Sequence, residues 1–419
     1  LQGGCCNQSV RDGASAERQA VQPAAFLCPT SIGNKKQKRC CDAQMKKMQD
    51  FFIKSQNSQV HFFCALVLMC GLSLAVQAII SLPWGGMVAA SCRWDCFWYQ
   101  DIVQNGYAVL PRLYDDFRPA QASWAFFPLY PLLTILTQKL LHLGSSAAGL
   151  LINILLWPLL IVLCWVDLSL RKVEVNKIYF ALFFIIYPFN IWYYAQYSEA
   201  IYGVLLMAAV VFLRKDRPGA TSLLCAFMAA ARPTGFIMGA CLAAWSLFYG
   251  TENPTAPNGS SVRNRVTNSL LILASSGAGL SVYVLYLFHI MGDGFAFAHV
   301  EVAWGKEFHF FLYNIIHSFA LGGHLSSIYC IAIIFTLWKM YRPGWGLNLL
   351  LSGVTAVLSM SAGLVSIERY FFGNPLVIQF LAYVVLSQRA PVRLGILGVL
   401  AILRIAASFL WYSNSGWLL

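Results

Sequence analysis

The sequence predicts an all-α polytopic membrane protein, and three observations carry that prediction. Hydrophobic residues make up 58% of the 419-residue chain and charged residues 11%, where a soluble domain carries about 25% charged residues. The mean hydropathy is +0.62. The alternation over about ten residues that marks a transmembrane barrel is absent, which leaves helices to satisfy backbone groups in hydrocarbon.

In chain order, a window of about 19 residues finds apolar segments near 61–80, 125–141, 147–166, 178–194, 197–213, 267–290, 313–338, 346–366, 371–386 and 394–412. Two shorter segments, 219–231 and 236–249, are split by "RPTG". Each falls short of the roughly 20 residues needed to cross. Arg232 is therefore expected at a hairpin tip within the outer leaflet. About 11 transmembrane helices result on this reading. The 61–80 segment is read as an uncleaved anchor.

A net charge of +12 would suit a nucleic-acid partner, but the placement of the charges argues against one. Nine of the 29 Lys and Arg precede residue 61, and most others lie in short connections such as "RKDRP" (214–218), "VRNR" (262–265), "KMYR" (339–342) and "QRAPVR" (388–393). Such loops face the cytoplasm. The N-terminus is then inside and the C-terminus outside, with 81–124, 291–312 and 367–369 on the outer face. That face gathers nine acids: Asp95, Asp101, Asp115, Asp116, Glu199, Asp293, Glu301, Glu307 and Glu368. An odd number of crossings between 125 and 177 fits only if 125–141 is shallow or re-entrant. Residues 1–55 have no apolar period and read as a disordered basic arm. It holds five of the 13 cysteines, without the paired spacing of a zinc site. Cys92 and Cys96 lie on the oxidising side, where a disulfide between them is geometrically conceivable but unpromising, since other cysteines of this chain are membrane filler.

The first motif is "SCRWDCFWYQDIVQNGY" (91–107). Trp94, Phe97, Trp98 and Ile102 recur at one-face helical spacing, which suggests an interfacial helix with its rings among headgroups, stopped by Asn105-Gly106. Asp95 reads either as the N-cap of that helix or as a functional carboxylate. Asp101, four residues after Phe97, falls inside the aromatic stripe. In "WAFFPLYPLL" (124–133), Pro128 and Pro131 would free carbonyls to line a cavity, or simply kink an aromatic belt. "YPFNIWYYAQYSEA" (187–200) sets Glu199 at an outer boundary, where an ionisable residue pairs or functions. In "AAARPTGF" (229–236), Arg232 either meets an anion such as a lipid phosphate or snorkels to the headgroups.

These blocks, in this order and on one face, resemble the PIG-V family of mannosyltransferases within the GT-C superfamily of membrane glycosyltransferases, a family with bacterial members too. "FAFAHVEVAWG" (295–305) and "RYFFGNPL" (369–376) resemble its weaker outer-loop blocks, and the similarity runs from about residue 60 to the end. The resemblance implies a GT-C-type fold with an outer-face catalytic loop. It implies a dolichyl or polyprenyl phosphate mannose donor and α-1,6 transfer to a lipid-linked glycan, either a GPI precursor or a bacterial glycolipid. It makes Asp95 the candidate base and draws Arg93, Trp94, Phe127, Glu199, Arg232, His299, Trp304 and Arg369 into substrate binding; Asp101, which has no counterpart in that family pattern, joins them as a binding candidate from its place in the aromatic stripe. Burial against aromatic rings would tune the base. No metal or other cofactor is expected, since lipid phosphate is itself an adequate leaving group. Partners are membrane lipids, the glycan acceptor and a possible small membrane subunit. The membrane is that of the endoplasmic reticulum in a eukaryote and the cytoplasmic membrane in a bacterium. A GT-C transferase of another lipid-linked sugar and a secondary transporter remain the alternatives, although a transporter would place its ionisable groups near the midplane between repeats.

Overall fold

The first long apolar run becomes helix α1, Gln59–Trp84, in a computed structural model that describes residues 59–111, 120–250, 261–320 and 324–415. The basic arm, its cysteines, and Asp115 and Asp116 lie outside the described residues. After α1 come the short α2 (Gly86–Ala90) and α3 (Asp95–Asn105), the helix expected from the first motif. Gly106, at φ 75°, ends α3 by returning its N–H to Ile102. Next are α4 (Leu129–Leu141), α5 (Ser145–Leu170), α6 (Lys177–Ile186), α7 (Glu199–Arg214), α8 (Pro218–Ala231), α9 (Pro233–Tyr249) and α10 (Val262–Met291). The chain finishes with α11 (Ala296–His299), α12 (Phe311–Ala320), α13 (His324–Met340), α14 (Gly346–Ser361), α15 (Ile367–Phe372), α16 (Pro375–Leu386) and α17 (Ala390–Tyr412).

The all-α architecture is the one expected. Among the described residues, α1, α5, α10 and α17 are long and apolar enough to cross a membrane, and seven shorter apolar helices accompany them. These long helices make the chain an integral membrane protein. Helix α7 forms the centre, buried along nearly all of its length between α5 and α8. Helix α8 in turn packs on α10, where Gly279 lets the backbones meet: a Cβ there would lie 2.0 Å from the Ala226 carbonyl oxygen.

Proline positions explain where helices and apolar segments disagree. The 178–194 run is broken because Tyr187 precedes Pro188, which disfavours helical backbone and removes a donor. Helix α6 therefore stops at Ile186, and a 3-10 stretch, Pro188–Tyr193, follows. The carbonyls of Phe184 and Ile185, freed at this break, accept from Asn190 Nδ2 at 2.7 and 2.8 Å. The 313–338 run, which holds no proline, is described as two helices, α12 and α13. Helix α4 has 13 residues, about 20 Å of rise, which is short of the roughly 30 Å hydrocarbon thickness.

The two prolines of the second motif act differently from expectation. Pro131 sits in the first turn of α4, where no backbone donor is needed, so it breaks nothing. Carbonyls upstream of Pro128 are indeed left without helix partners, but tyrosines take them instead of a cavity. Tyr283 Oη donates to Trp124 O at 2.8 Å and Tyr107 Oη donates to Phe126 O at 2.6 Å.

Candidate active site

Helix α3 lies against α4 and α5, so most of its rings face protein where headgroups had been expected. Trp98 and Ile102 are buried together with Cys96 and Tyr99, and of the expected stripe Phe97 is the member left open, at 62% exposure. Trp98 stacks on Phe126 with centroids 6.0 Å apart, and Trp304 meets both rings edge-on at 5.7 and 5.9 Å. An aromatic wall thus borders the first turn of α3. The residue capping that turn is Trp94, with no side-chain cap bond, so the N-cap reading of Asp95 is replaced by a first-turn position. There its charge complements the helix N-terminus.

The Asp95 carboxylate is turned towards α15. Arg369 Nη1 meets Asp95 Oδ2 at 2.6 Å, and Arg369 Nε meets Glu199 Oε1 at 2.5 Å. The same Glu199 oxygen receives Arg232 Nη2 at 2.5 Å, while Arg232 Nε donates to Ser198 Oγ at 2.9 Å. Four charged groups from α3, the start of α7, the α8–α9 junction and α15 therefore form one chain of opposite signs, formally neutral. Arg232 faces inward in this cluster, its guanidinium held by Glu199 and Ser198. Its placement follows from Pro233, which forces Arg232 into extended backbone between two helices. Asp95 is 25% exposed and bound to a cation, where an apolar enclosure had been expected. The reason is that Arg369 enters from a segment 274 residues away.

Several surrounding groups have no counterpart in the expected set. Tyr197 lies under the Arg369 guanidinium, 4.5 Å from it. Tyr99 Oη donates to Ser198 Oγ at 2.8 Å. Lys306 pairs with Glu301 at 2.7 Å and reaches Tyr370 Oη at 3.3 Å. Those partners hold its ammonium above the ordinary lysine range, against desolvation as the largest single influence. Glu368, next to Arg369, is buried with Oε1 unpartnered, and burial raises its pKa. Tyr197 and Ser198 were in reach of the sequence, because they adjoin Glu199 in "YSEA"; their contacts were not.

Other expected site residues are placed elsewhere. Arg93 Nη2 donates to Tyr412 O at 2.7 Å, and the Trp94 ring meets Trp411 edge-on at 4.9 Å, so both tie the loop to the end of α17. Phe127 packs on Tyr283 and Phe297 in a separate apolar cluster. Asp101 Oδ1 accepts from Asn105 Nδ2 at 2.8 Å. His299 Nδ1 and Asp293 Oδ2 are 2.7 Å apart on the surface, and that bond, the largest influence on Asp293, holds its carboxyl below the usual range.

A disulfide joins Cys92 to Cys96, a pairing conceivable but unpromising from the sequence: the turn over Arg93–Cys96 that leads into α3 brings the two Cα atoms to 5.1 Å, within bridging range. A cleft of about 700 Å³ beside Trp165, Lys172, Glu174 and Asn176 lies at the far end of α5. That end is on the order of 20 Å along the helix from Asn153, which binds the Tyr197 carbonyl at 2.9 Å. It takes no part in the cluster. Among the described residues no group of three or more His, Cys, Asp or Glu could hold a metal ion.

No family model matches the chain. Over 162 residues, 36% of this chain, it is 30% identical to the GPI alpha-1,6-mannosyltransferase 2 of Mus musculus and covers 31% of that protein. To the protein of the same name from Homo sapiens it is 28% identical over 162 residues, again covering 31%. The chain thus spans about a third of the length of the curated relatives it matches. Among solved structures, it is similar to ArnT from Cupriavidus metallidurans bound to undecaprenyl phosphate, with a TM-score of 0.45 and 15% identity over 80% of this chain and 62% of that one. It is also similar to the Archaeoglobus fulgidus oligosaccharyltransferase, with a TM-score of 0.46 and 12% identity over 84% and 55% of the two chains.

Proposed function

We propose that this protein is a GT-C-type membrane glycosyltransferase that moves mannose from a polyprenyl or dolichyl phosphate donor to a lipid-linked glycan, making an α-1,6 bond on the outer or luminal face. The observation that carries the reading is the convergence of Asp95, Glu199, Arg232 and Arg369, from four distant blocks, into one ion chain beside an aromatic wall. Similarity to the mouse mannosyltransferase supports the choice of sugar.

Each group has a part in an inverting transfer. The acceptor hydroxyl oxygen bonds to the anomeric carbon and its proton passes to Asp95, whose other oxygen, Oδ2, is held by Arg369. The bond from that carbon to the phosphate oxygen breaks, and its electron pair leaves with the lipid phosphate. Arg232 and Arg369 supply positive charge where the leaving phosphate becomes more negative, through the guanidinium N–H groups left over from their bonds to Ser198, Glu199 and Asp95. Glu199 spaces the two guanidiniums. Trp304, half-buried, offers a ring surface suited to the C–H face of a hexose, with Trp98 and Phe126 packed behind it.

The test is donor consumption by membranes carrying the protein, with labelled polyprenyl phosphate mannose and its glucose counterpart offered separately. Asp95→Asn is expected to lower mannose transfer by the ~10²–10⁴ typical of a lost general base at unchanged protein level, while Asp101→Asn, bonded outside the ion chain, stays active. An active Asp95→Asn variant would remove Asp95 from the chemistry. Preference for the glucose donor would select the GT-C alternative of another sugar.

A further inference from the structure

The segment that presents Asp95 is a tight turn with the wrong residue in it. Arg93, Trp94, Asp95 and Cys96 are closed by a bond from Cys96 N–H to Arg93 O of 3.0 Å. Trp94 adopts φ 40°, ψ −105°, near the first central position of a type II′ turn, a region that glycine favours. A bulky side chain there returns to negative φ unless its surroundings hold it. Relaxation of Trp94 would swing the next residue, Asp95, away from Arg369.

Three attachments oppose that relaxation. Tyr197 Oη donates to Arg93 O at 2.9 Å and accepts from Asp95 N–H at 3.2 Å. Arg93 and Trp94 engage Tyr412 and Trp411 of α17. The third is the Cys92–Cys96 disulfide, which spans the turn covalently with both cysteines buried. So short a cross-linked loop restrains little of the unfolded chain. Its effect is therefore on local geometry more than on global stability.

We infer that Cys92 and Cys96 are positioning residues: their disulfide holds Trp94 in a glycine-like backbone state and so aims the Asp95 carboxylate at Arg369. This rests on the reading of Asp95 as the base. The disulfide also assigns the 92–96 loop to an oxidising compartment, in keeping with the outer face deduced from the Lys and Arg distribution.

The test compares the full-length protein with its Cys92→Ala/Cys96→Ala variant in membranes. The Cys92→Ser/Cys96→Ser pair, closer in polarity, carries the same comparison if the alanine pair does not accumulate. Differential alkylation with peptide mapping should label Cys92 and Cys96 in the native protein only after reduction; labelling before reduction overturns the inference. In the variant, turnover should fall roughly 10- to 100-fold, as for a catalytic group displaced by about an ångström, with donor KM and thermal midpoint little changed. Phenylglyoxal modification of Arg369, followed by mass spectrometry, should rise severalfold as Asp95 leaves it. Wild-type turnover together with unchanged Arg369 labelling would overturn the device. An inactive Asp95→Asn beside a fully active cysteine variant sinks the positioning inference and leaves the base reading standing. An active Asp95→Asn removes the base reading and with it the catalytic consequence of the positioning, while Arg369 labelling still reports whether the disulfide sets the geometry.

Discussion

Arg232 bonds two acceptors on adjacent residues, Ser198 through Nε and Glu199 through Nη2, and a lysine ammonium cannot reproduce that fork. Arg232→Lys should therefore express normally and weaken donor use by about 1–3 kcal/mol, the value of a charged hydrogen bond. Apparent donor affinity equal to wild type would remove Arg232 from the donor site. "RPTG" showed that Arg232 stands between two short helices. The identity of its partner was not legible there, since Glu199 is 33 residues away and becomes a neighbour only once α7 packs against α8 and α9. Asp95 and Arg369 carry the same lesson over 274 residues. Phe127 and Arg93 carry the converse, because membership of a recognisable block did not bring them to the ion chain.

Helix ends and crossings depend on a few polar side chains. Asn190→Ala would leave the Phe184 and Ile185 carbonyls at the end of α6 unpaired. The expected cost is about 1–3 kcal/mol, read as a lower thermal midpoint of the detergent-solubilised protein; an unchanged midpoint would mean that this break is satisfied otherwise. At the other end of the bundle, Asp167 is fully buried and joins three helices, receiving Arg171 at 2.8 Å, Arg214 at 2.6 Å and Gln379 at 2.8 Å. Asp167→Asn leaves two cations facing a neutral group, which by analogy with other broken buried pairs costs about 3–5 kcal/mol. Folded yield should drop while turnover per folded molecule stays the same, since this cluster lies on the order of 20 Å along α5 from the Asn153 contact with the site. A fall in specific turnover would show that the two ends are coupled.

For the whole molecule the membrane orientation can be measured directly. Leu110 is 76% exposed in the loop assigned to the outer face. An impermeant maleimide should label Leu110→Cys in intact cells or sealed vesicles from that side, and labelling only from the cytoplasmic side would invert the topology. Composition and apolar run length by themselves determined that this chain is an all-α membrane protein, because hydrocarbon permits few ways to satisfy a backbone and about 20 apolar residues suffice to declare a span. The Lys and Arg distribution set the expected orientation, and Pro and Gly positions marked helix ends such as Gly106. What only the tertiary structure decided is the make-up of the candidate site: which of the carboxylates expected on the outer face meets which arginine, the Cys92–Cys96 bond, and the glycine-like turn at Trp94. A periodic pattern records which surface a residue shares with its near neighbours, whereas ion pairs across hundreds of residues exist only after α3, α7, α9 and α15 have packed and excluded the water that would otherwise solvate each charge.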